Sequence, residues 1–338
     1  MRQQSRAFKK EFVTVAMLIT QLRERVKIEL EVVNEVEIEE RKVTEQDLHR
    51  PGLALAGYID LFTFQRVQIL GNTESQYLAH LTMEERKQAF NNLMEFPIPC
   101  IFLTESNKLD QELVDIATKA GVPIFRTPTP TTRFMSLLGD FLNDHFAWQQ
   151  PVHGSLVDVY GVGLLIVGKA GIGKSEVALD LVERGHRLVA DDVVVVTKRG
   201  ENLLIGTGTD LVQHFMEVRG LGLVDVRAMF GIRAIRFQKR IEVVVNMQLW
   251  DPEEDYTRIS VVDDTHPILD VDLPMVKVPI TPGKNITVIC EVIAMNHILR
   301  HYGYDPAEIF SQRLADQIQK NKSGHPNRGL EYLEHDFE

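Results

Sequence analysis

The stretch from Leu164 to Gly185, LLIVGKAGIGKSEVALDLVERG, contains residue types and a spacing that suit phosphate binding. Gly168, four intervening residues and the triplet Gly173–Ser175 match the P-loop pattern. Glycines allow the backbone to turn successive N–H groups toward one point, where they bind phosphate oxygens. The helix that follows adds the partial positive charge of its N-terminus. We therefore predict a nucleotide or inorganic-phosphate site made of Gly168, Lys169, Ala170, Gly171, Ile172, Gly173, Lys174 and Ser175.

Two side chains of this loop have specific roles in the P-loop mechanism. Lys174 reaches the β- and γ-phosphates, and the Ser175 hydroxyl can bind Mg²⁺. The surrounding sequence supports a real loop rather than an accidental glycine turn. An apolar strand precedes it, and the amphipathic helix after it ends at Gly185. The predicted apolar face of that helix contains Val177, Ala178, Leu181 and Val182.

Two adjacent carboxylates, Asp191 and Asp192, follow an apolar run in RLVADDVVVV. If one strand continues through them, their side chains point to opposite faces and have different functions, unless a bulge intervenes. In P-loop proteins an acid at a strand end commonly contacts Mg²⁺ or its water, which leaves the second acid free for proton transfer. A solvated Asp-Asp turn is the alternative.

A second polar pair, Glu217 and Arg219, lies in MEVRGLGLVDV. The two side chains share one face if the segment is extended. Gly220 and Gly222 allow the backbone of another segment to approach closely. The alternative is a structural ion pair beside a glycine turn.

Three further features give weaker signals. His153 stands just before the strand that leads to the P-loop, although an isolated histidine is more often structural than catalytic. Arg258 in DYTRIS is a single arginine, and composition alone would not identify it as a candidate site residue. Lys284 and Gly283 lie in the turn from Pro279 to Lys284 of VPITPGKNITV. The alternative interpretation of this turn is a plain hairpin.

The elements that must position these residues fall into two parts. The first part alternates predicted strands (RVKIELEVV, IPCIFLT, VPIFRT) with predicted helices (TMEERKQAFNNLMEF, LDQELVDIATKAG), which indicates a βαβ unit and a small α/β domain. The second part reads as strand-rich, with LLIVG, RLVADDVVVVTK, IEVVVNMQLW and ITVICEVIAM, and ends in helices after a start signal at Asp305. We predict an N-terminal α/β domain over 1–148, a P-loop catalytic domain over 149–322 and a charged tail over 323–338.

Composition limits the class of protein. The 338 residues carry a net charge of −11, which argues against a general electrostatic grip on nucleic acid or anionic lipid. The only cysteines, Cys100 and Cys290, are too few for a disulfide framework or a clustered thiolate site, so we expect structural thiols. The apolar run within RQQSRAFKKEFVTVAMLITQL is short and lacks a cleavage site, so we expect a first core helix rather than a signal peptide. We expect a cytoplasmic protein with no membrane segment.

The order of several segments is similar to that of the bifunctional HPr kinase/phosphorylase family. The similar segments are RPGLALAGY, HGSLVDVYGVGLLIVGKAGIGKSEVALDLVERGHRLVADDVV, EVRGLGLVDVRAMFG, YTRIS and VPITPGKN. The long middle segment and EVRGLG are far more specific to that family than a P-loop alone. Lys284 departs from the family's arginine in the PGR turn, which keeps the charge but loses the planar fork. The tail from Ser323 is also longer than usual.

The resemblance implies a bacterial enzyme of carbon catabolite repression. Such an enzyme uses ATP or pyrophosphate to phosphorylate a seryl hydroxyl of the phosphocarrier protein HPr. It reverses the reaction with inorganic phosphate and releases pyrophosphate. The resemblance also implies an N-terminal domain similar to a nucleotide-sugar ligase domain, a C-terminal domain similar to phosphoenolpyruvate carboxykinase, and a homohexamer.

The resemblance assigns roles by position. His153, Lys174, Asp192 and Arg258 match the family's active-site residues, and Ser175 and Glu217 match its magnesium ligands. The segment from Met216 to Asp225 matches a stretch needed in both directions, and the turn from Pro279 to Lys284 matches one needed for phosphorolysis. Two alternatives stay open: a metabolic kinase related to phosphoenolpyruvate carboxykinase, and a nucleotide-sensing regulator without chemistry.

Overall fold

The computed structural model of the protein describes residues 6–209, 213–251, 264–281 and 283–322. Contacts divide the chain into two compact units, Phe8–Trp148 and a second unit that begins at Gln149 and also includes Arg6 and Ala7. We propose Trp148 and Gln149 as the domain boundary. The predicted tail over 323–338 lies outside the described residues.

The first unit alternates short strands and helices. Its strands and helices, in chain order, are β1 (Val13–Thr14), α1 (Val15–Glu24), β2 (Glu31–Val32), β3 (Lys42–Val43), β4 (Leu48–His49), α2 (Gly52–Leu55), β5 (Val67–Leu70), α3 (Asn72–His80), α4 (Met83–Met94), β6 (Ile101–Leu103), α5 (Gln111–Lys119), β7 (Ile124–Arg126) and α6 (Thr131–His145). One five-stranded sheet has the order β2-β7-β6-β5-β4, in which β4 to β7 are parallel and β2 is antiparallel. The small α/β domain predicted from the sequence is therefore confirmed.

Apolar strands explain why this sheet forms the centre of the first unit. Strands β5 and β6 are buried throughout their length, as expected for parallel strands covered on both faces. Phe134 of α6 and Phe90 of α4 are fully buried in two separate clusters of the core. Each such side chain contributes roughly 1.5–3 kcal/mol by leaving water. The predicted helix after Thr82 is confirmed, with the Thr82 hydroxyl accepting a bond from the Glu85 N–H.

Two predictions for the first unit have clear outcomes. The N-terminal apolar run forms a core helix as expected, because α1 buries Val15, Leu18, Ile19 and Leu22. The predicted strand RVKIELEVV was largely wrong, because only the exposed pair Glu31–Val32 is a strand. Within the described residues, this segment pairs only as the short edge strand β2, antiparallel to Phe125 and Arg126 of β7.

The second unit contains more strands and longer helices. Its elements, in chain order, are β8 (Gln149–His153), β9 (Ser155–Val159), β10 (Val162–Gly168), α7 (Lys174–Glu183), β11 (Arg187–Ala190), β12 (Val193–Arg199), β13 (Leu203–Thr207), β14 (Phe215–Val218), β15 (Gly222–Asp225), α8 (Val226–Phe230), a 3₁₀ turn (Ile232–Ala234), β16 (Gln238–Arg240), β17 (Val243–Leu249), β18 (Thr265–Ile268), β19 (Val271–Ile280), α9 (Ile286–His301) and α10 (Pro306–Lys322).

A six-stranded sheet organises the second unit, with the order β11-β9-β10-β17-β19-β18. Strands β10, β17 and β19 are parallel, so their carboxyl ends meet at one edge. A four-stranded sheet has the order β16-β13-β12-β8, and among the described strands β14 pairs with β15 alone. The apolar face of α7 packs into the core as predicted, with Val177, Ala178, Leu181 and Val182 buried.

The segment ITVICEVIAM, which the sequence pattern predicts as a strand, is the first part of helix α9. Its β-branched residues favour a strand by local preference. However, the Asn285 side chain accepts a hydrogen bond from the Val288 N–H and caps a helix there. The buried side chains of α9 then pack on the sheet, and this tertiary contact decides the structure. The helix start at Asp305 is confirmed, since its Oδ1 accepts a bond from the Glu308 N–H over 3.4 Å.

Both cysteines are buried free thiols, as expected. Burial raises the pKa of the Cys290 thiol to about 12 and raises that of Cys100 as well. Neither thiol is therefore a thiolate near neutral pH. In the part of the chain that the structure describes, no helix combines the length and apolar character needed to cross a membrane.

Candidate phosphoryl-transfer site

The P-loop lies at the carboxyl edge of the six-stranded sheet. Strand β10 is central and ends at Gly168, and helix α7 begins six residues later at Lys174. Gly168 requires the absence of a side chain, because a Cβ there would lie 2.5 Å from the Met247 carbonyl oxygen of β17. The predicted strand, loop and helix are all present, so the backbone N–H groups of the loop can face a bound phosphate.

Lys174 already lies over this loop. Its Nζ donates hydrogen bonds to the carbonyl oxygens of Gly168 and Lys169, each over 3.3 Å. Both bonds are long, so a phosphate anion can compete for the ammonium group. The Lys174 side chain is therefore placed for the role predicted from the sequence.

The acid pair forms a turn between two strands, and the prediction of one continuous strand was wrong. Strand β11 ends at Ala190 and β12 begins at Val193 in a different sheet. Asp192 has a φ of +64°, and the Val193 N–H donates to the Asp191 carbonyl oxygen over 2.8 Å. This tight three-residue turn places a non-glycine residue in the left-handed region, which is strained. Such strain is often found at functional positions.

The two acids have different environments. The sequence predicted different functions for them, but from the alternation of side chains along one strand. Asp191 is only 4% exposed, and its Oδ1 accepts a hydrogen bond from the Ser155 hydroxyl over 2.5 Å. Burial raises the pKa of Asp191, against the smaller opposing effects of the Ser155 and Ser175 hydroxyls. Asp192 is exposed to solvent. Asp191 thus faces the P-loop serine, and Asp192 is available to an incoming substrate.

His153 lies beside the acid turn. It is the last residue of β8 and pairs with Val193 of β12. The next residue, Gly154, donates its N–H to the Asp192 carbonyl oxygen over 3.0 Å. The His153 side chain is exposed. The backbone therefore brings together His153 and Asp192, two of the four residues predicted to be catalytic.

The hairpin of β14 and β15 brings Arg219 to the P-loop. A Cβ placed on Gly171 would lie 2.7 Å from Arg219 Nη2 and 3.0 Å from its Nη1. The guanidinium group therefore lies directly against the loop, and a side chain at position 171 would displace it. Met216 is buried in the core, whereas Glu217 is exposed on the opposite face of β14. Since β14 packs beside α7, the hairpin adds both a cation and a carboxylate near the phosphate site.

The described residues of the predicted turn from Pro279 to Lys284, which are 279–281 and 283–284, lie at the same edge of the sheet. Gly168 pairs with Met247, and Met247 pairs with Val278, one residue before the turn. Strand spacing places the start of the turn roughly 10 Å from the end of β10. Lys284 is exposed, and its Nζ donates to the Pro279 carbonyl oxygen over 3.4 Å.

Comparison with known protein families gives two matches that together cover nearly the whole chain. The family described as HPr Serine kinase N terminus matches residues 13–142, and the one described as HPr Serine kinase C-terminal domain matches residues 144–314. The chain belongs to the HPr serine kinase family.

Two individual relatives agree with this membership of the HPr serine kinase family. The chain is 55% identical to the HPr kinase/phosphorylase of Chloroherpeton thalassium, over 98% of each chain. It is 53% identical to the HPr kinase/phosphorylase of Prosthecochloris aestuarii, again over 98% of each. A solved structure of the Hpr(Ser) kinase/phosphatase from Coxiella burnetii is 33% identical, with a TM-score of 0.43, and covers 48% of this chain and 98% of that one.

The residues of this HPr kinase-family site fit a magnesium ion. Asp191 Oδ2 is buried and has no hydrogen-bond partner among the residues that the structure describes. Carboxylate and hydroxyl oxygens are the ligands that Mg²⁺ prefers. Within the described ranges no cluster of three or more His, Cys, Asp or Glu side chains is arranged to hold a metal. Mg²⁺ is usually bound through one or two carboxylates together with substrate phosphates.

Some residues lie outside the predicted set or outside the described structure. Arg258 lies outside the described residues, so its predicted role stays a prediction. Sequence reasoning missed Ser155, which donates to Asp191. A polar residue at the start of the apolar strand SLVDV was the available signal.

Proposed function

We propose that this chain transfers a phosphoryl group from ATP or pyrophosphate to a seryl hydroxyl of the phosphocarrier protein HPr. We also propose that it runs the reverse phosphorolysis, in which inorganic phosphate attacks phosphoseryl-HPr and gives pyrophosphate. The observation that carries the proposal is the acid turn. It pairs a buried carboxylate that faces the P-loop serine with an exposed carboxylate on a strained backbone.

Phosphate binding is the function we assign to the loop, Lys174 and Arg219. Backbone N–H groups and the start of α7 bind the phosphate oxygens, and the two cations lie against the same loop. Phosphoryl transfer depends mainly on positioning and charge neutralisation. Ser175, Asp191 and Glu217 would hold Mg²⁺, which neutralises charge on the phosphates when it is bound.

Asp192 is the proposed general base and acid. In the kinase direction its carboxylate accepts the seryl proton as the serine Oγ bonds to phosphorus and the bond to the leaving phosphate breaks. In phosphorolysis an oxygen of inorganic phosphate bonds to the phosphoryl group, the bond to serine Oγ breaks, and Asp192 returns the proton to Oγ. His153, next to this turn, would orient the phosphoryl group or the acid. Arg258 completes the predicted set of catalytic residues.

Self-association is part of the proposal, and an exposed helix face supports it. Val288, Val292, Met295 and Leu299 recur at helical spacing on α9 and are each about 40% exposed. Such a stripe is typical of a buried interface. We therefore propose self-association through this face, and, on the family resemblance alone, a homohexamer that acts in the cytoplasm in carbon catabolite repression. Analytical ultracentrifugation tests the assembly.

Transfer of label from [γ-³²P]ATP to purified HPr tests the function. We expect label on HPr, none on an HPr variant whose acceptor serine is alanine, and pyrophosphate release when phosphate is added to phosphoseryl-HPr. Activity only on a small metabolite would favour the metabolic kinase alternative. Nucleotide binding without any transfer would favour a regulator.

A further inference from the structure

A buried polar cluster joins the P-loop helix to the helix that follows the turn from Pro279 to Lys284. Glu291 of α9 is only 9% exposed. Its Oε1 lies 3.1 Å from His186 Nε2, and its Oε2 accepts a bond from Arg184 Nη1 over 3.1 Å. Because a carboxylate only accepts hydrogen bonds, His186 Nε2 carries the proton in this contact.

A second polar contact lies closer to the turn. Thr287, in the first turn of α9, donates its hydroxyl to Asp180 Oδ2 of α7 over 3.2 Å. Asp180, Glu183, Arg184 and Asn285 line a cleft between these elements. The two polar contacts therefore lie about one helical turn apart, near the C-terminal end of α7.

These polar bonds fix the position of α9 along α7, which apolar packing alone would leave adjustable. Leu181 of α7 and Cys290 of α9 belong to the same hydrophobic cluster, but apolar contacts are non-directional and permit small sliding. A buried carboxylate that accepts two bonds is costly to displace, because each donor would lose its partner. The polar cluster therefore sets the register of α9 along α7.

The register matters because each helix begins at one part of the site. Helix α7 begins with Lys174 and Ser175, and α9 begins two residues after Lys284. A shift of α9 along α7 would move the turn relative to the P-loop. Displacement of a positioned group by about 1 Å can lower a rate by two orders of magnitude.

We propose that Glu291 is a positioning residue that holds Lys284, just before α9, at the correct distance from the P-loop, and so sets the affinity for inorganic phosphate in phosphorolysis. This inference rests on the proposed function, because it assumes that the turn serves the phosphorolytic direction. Glu291 itself touches no substrate.

The test measures both directions in Glu291→Gln and Thr287→Val, with the full-length chain and HPr. Arg300→Gln is the matched control, because it removes the 3.0 Å ion pair with Asp305 at the other end of α9. In Glu291→Gln we expect the KM for inorganic phosphate to rise roughly 3- to 30-fold. The kinase KM for ATP should change less than twofold. Thr287→Val should raise the ratio of the KM for inorganic phosphate to the KM for ATP by a smaller factor. Arg300→Gln should leave this ratio unchanged.

The following results would contradict the positioning role of Glu291. Equal losses in both directions, with a lower Tm, would mean that Glu291 is only structural. If the ratio of the two KM values in Glu291→Gln and Thr287→Val equals that in Arg300→Gln, the positioning role is overturned. If Glu291→Gln does not fold, the result for Thr287→Val decides alone. A wild-type chain without phosphorolysis would overturn the proposed function and this inference with it. A wild type with both activities and unaffected variants would overturn this inference only.

Discussion

Asp191→Asn should make the ligand-free protein more stable while it weakens the site. In the folded protein Asp191 Oδ2 is buried without a hydrogen-bond partner among the described residues. An unsatisfied buried polar group costs about 1–3 kcal/mol. The amide places an equally unpaired Nδ2 where Oδ2 was, but it removes the buried charge, which carries the larger penalty, and it can keep the bond from Ser155 to Oδ1. At roughly 2–4 °C for each kcal/mol, we expect the Tm to rise by about 2–12 °C at neutral pH.

The pH dependence of this difference follows from the direction of the pKa shift. Burial raises the pKa of Asp191 in the folded protein above its ordinary value. Below the ordinary aspartate pKa of about 4 the carboxyl is neutral in both states, and the charge penalty is absent. As pH rises through the raised folded pKa, the wild type loses that stability and the variant does not. The gap in Tm between the two proteins should therefore open between pH 4 and neutrality.

Calorimetry without Mg²⁺ and nucleotide measures the effect, and a repeat with both ligands measures the function. Ligand binding should raise the Tm of the wild type more than that of Asp191→Asn. Asp158→Asn is the control, because Asp158 is equally buried and its Oδ1 also has no partner among the described residues, but its Oδ2 pairs with Arg236 over 2.5 Å. That variant should be less stable. A neutral-pH Tm for Asp191→Asn that is unchanged or lower, with no pH dependence, would refute the reasoning.

Four other predictions address the remaining parts of the site. Lys174→Ala should abolish transfer without unfolding the protein, and near-normal kinase rates would disprove the P-loop assignment. Asp192→Asn should lower kcat about 10²–10⁴-fold in both directions with unchanged nucleotide affinity, since asparagine tolerates a positive φ; a loss of Mg·ATP affinity instead would reverse the two acids. Gly171→Ala should displace Arg219 and raise the KM for ATP, as steady-state kinetics would show. Lys284→Ala should lower phosphorolysis more than kinase activity, while Lys284→Arg preserves it; an unchanged ratio would make the turn a plain hairpin.

Local patterns in the sequence predicted the P-loop but not the geometry of the acid turn. Glycine spacing, an apolar strand and an amphipathic helix are neighbours in the chain, so their pattern determines the loop at Lys174 directly. The break at Asp192 has no comparable local signal, because β-branched residues follow the two acids without a glycine or proline. Pairing of β12 with β8 in a different sheet forces the turn.

Contacts between distant segments were also beyond prediction from the sequence. Arg219 reaches Gly171, and the two residues are far apart in the chain. The sequence indicated only that Gly220 and Gly222 allow close approach, not which backbone approaches. The same limit explains the error at ITVICEVIAM, where local β-preference was overridden by the Asn285 cap and by packing on the sheet.

The acid turn shows how one local conformation separates two chemical roles. A continuous strand would leave both acids on one strand, whereas the positive φ at Asp192 ends β11 and redirects the chain into another sheet. Asp191 then remains in the core beside Ser155, and Asp192 reaches solvent. Backbone strain at one residue and an unpaired oxygen at its neighbour both oppose folding. A protein that keeps this strain and this unpaired oxygen at the same turn is less stable there. Such a loss is expected at a functional site, where Asp191 must face the bound phosphates and Asp192 must be accessible to the acceptor.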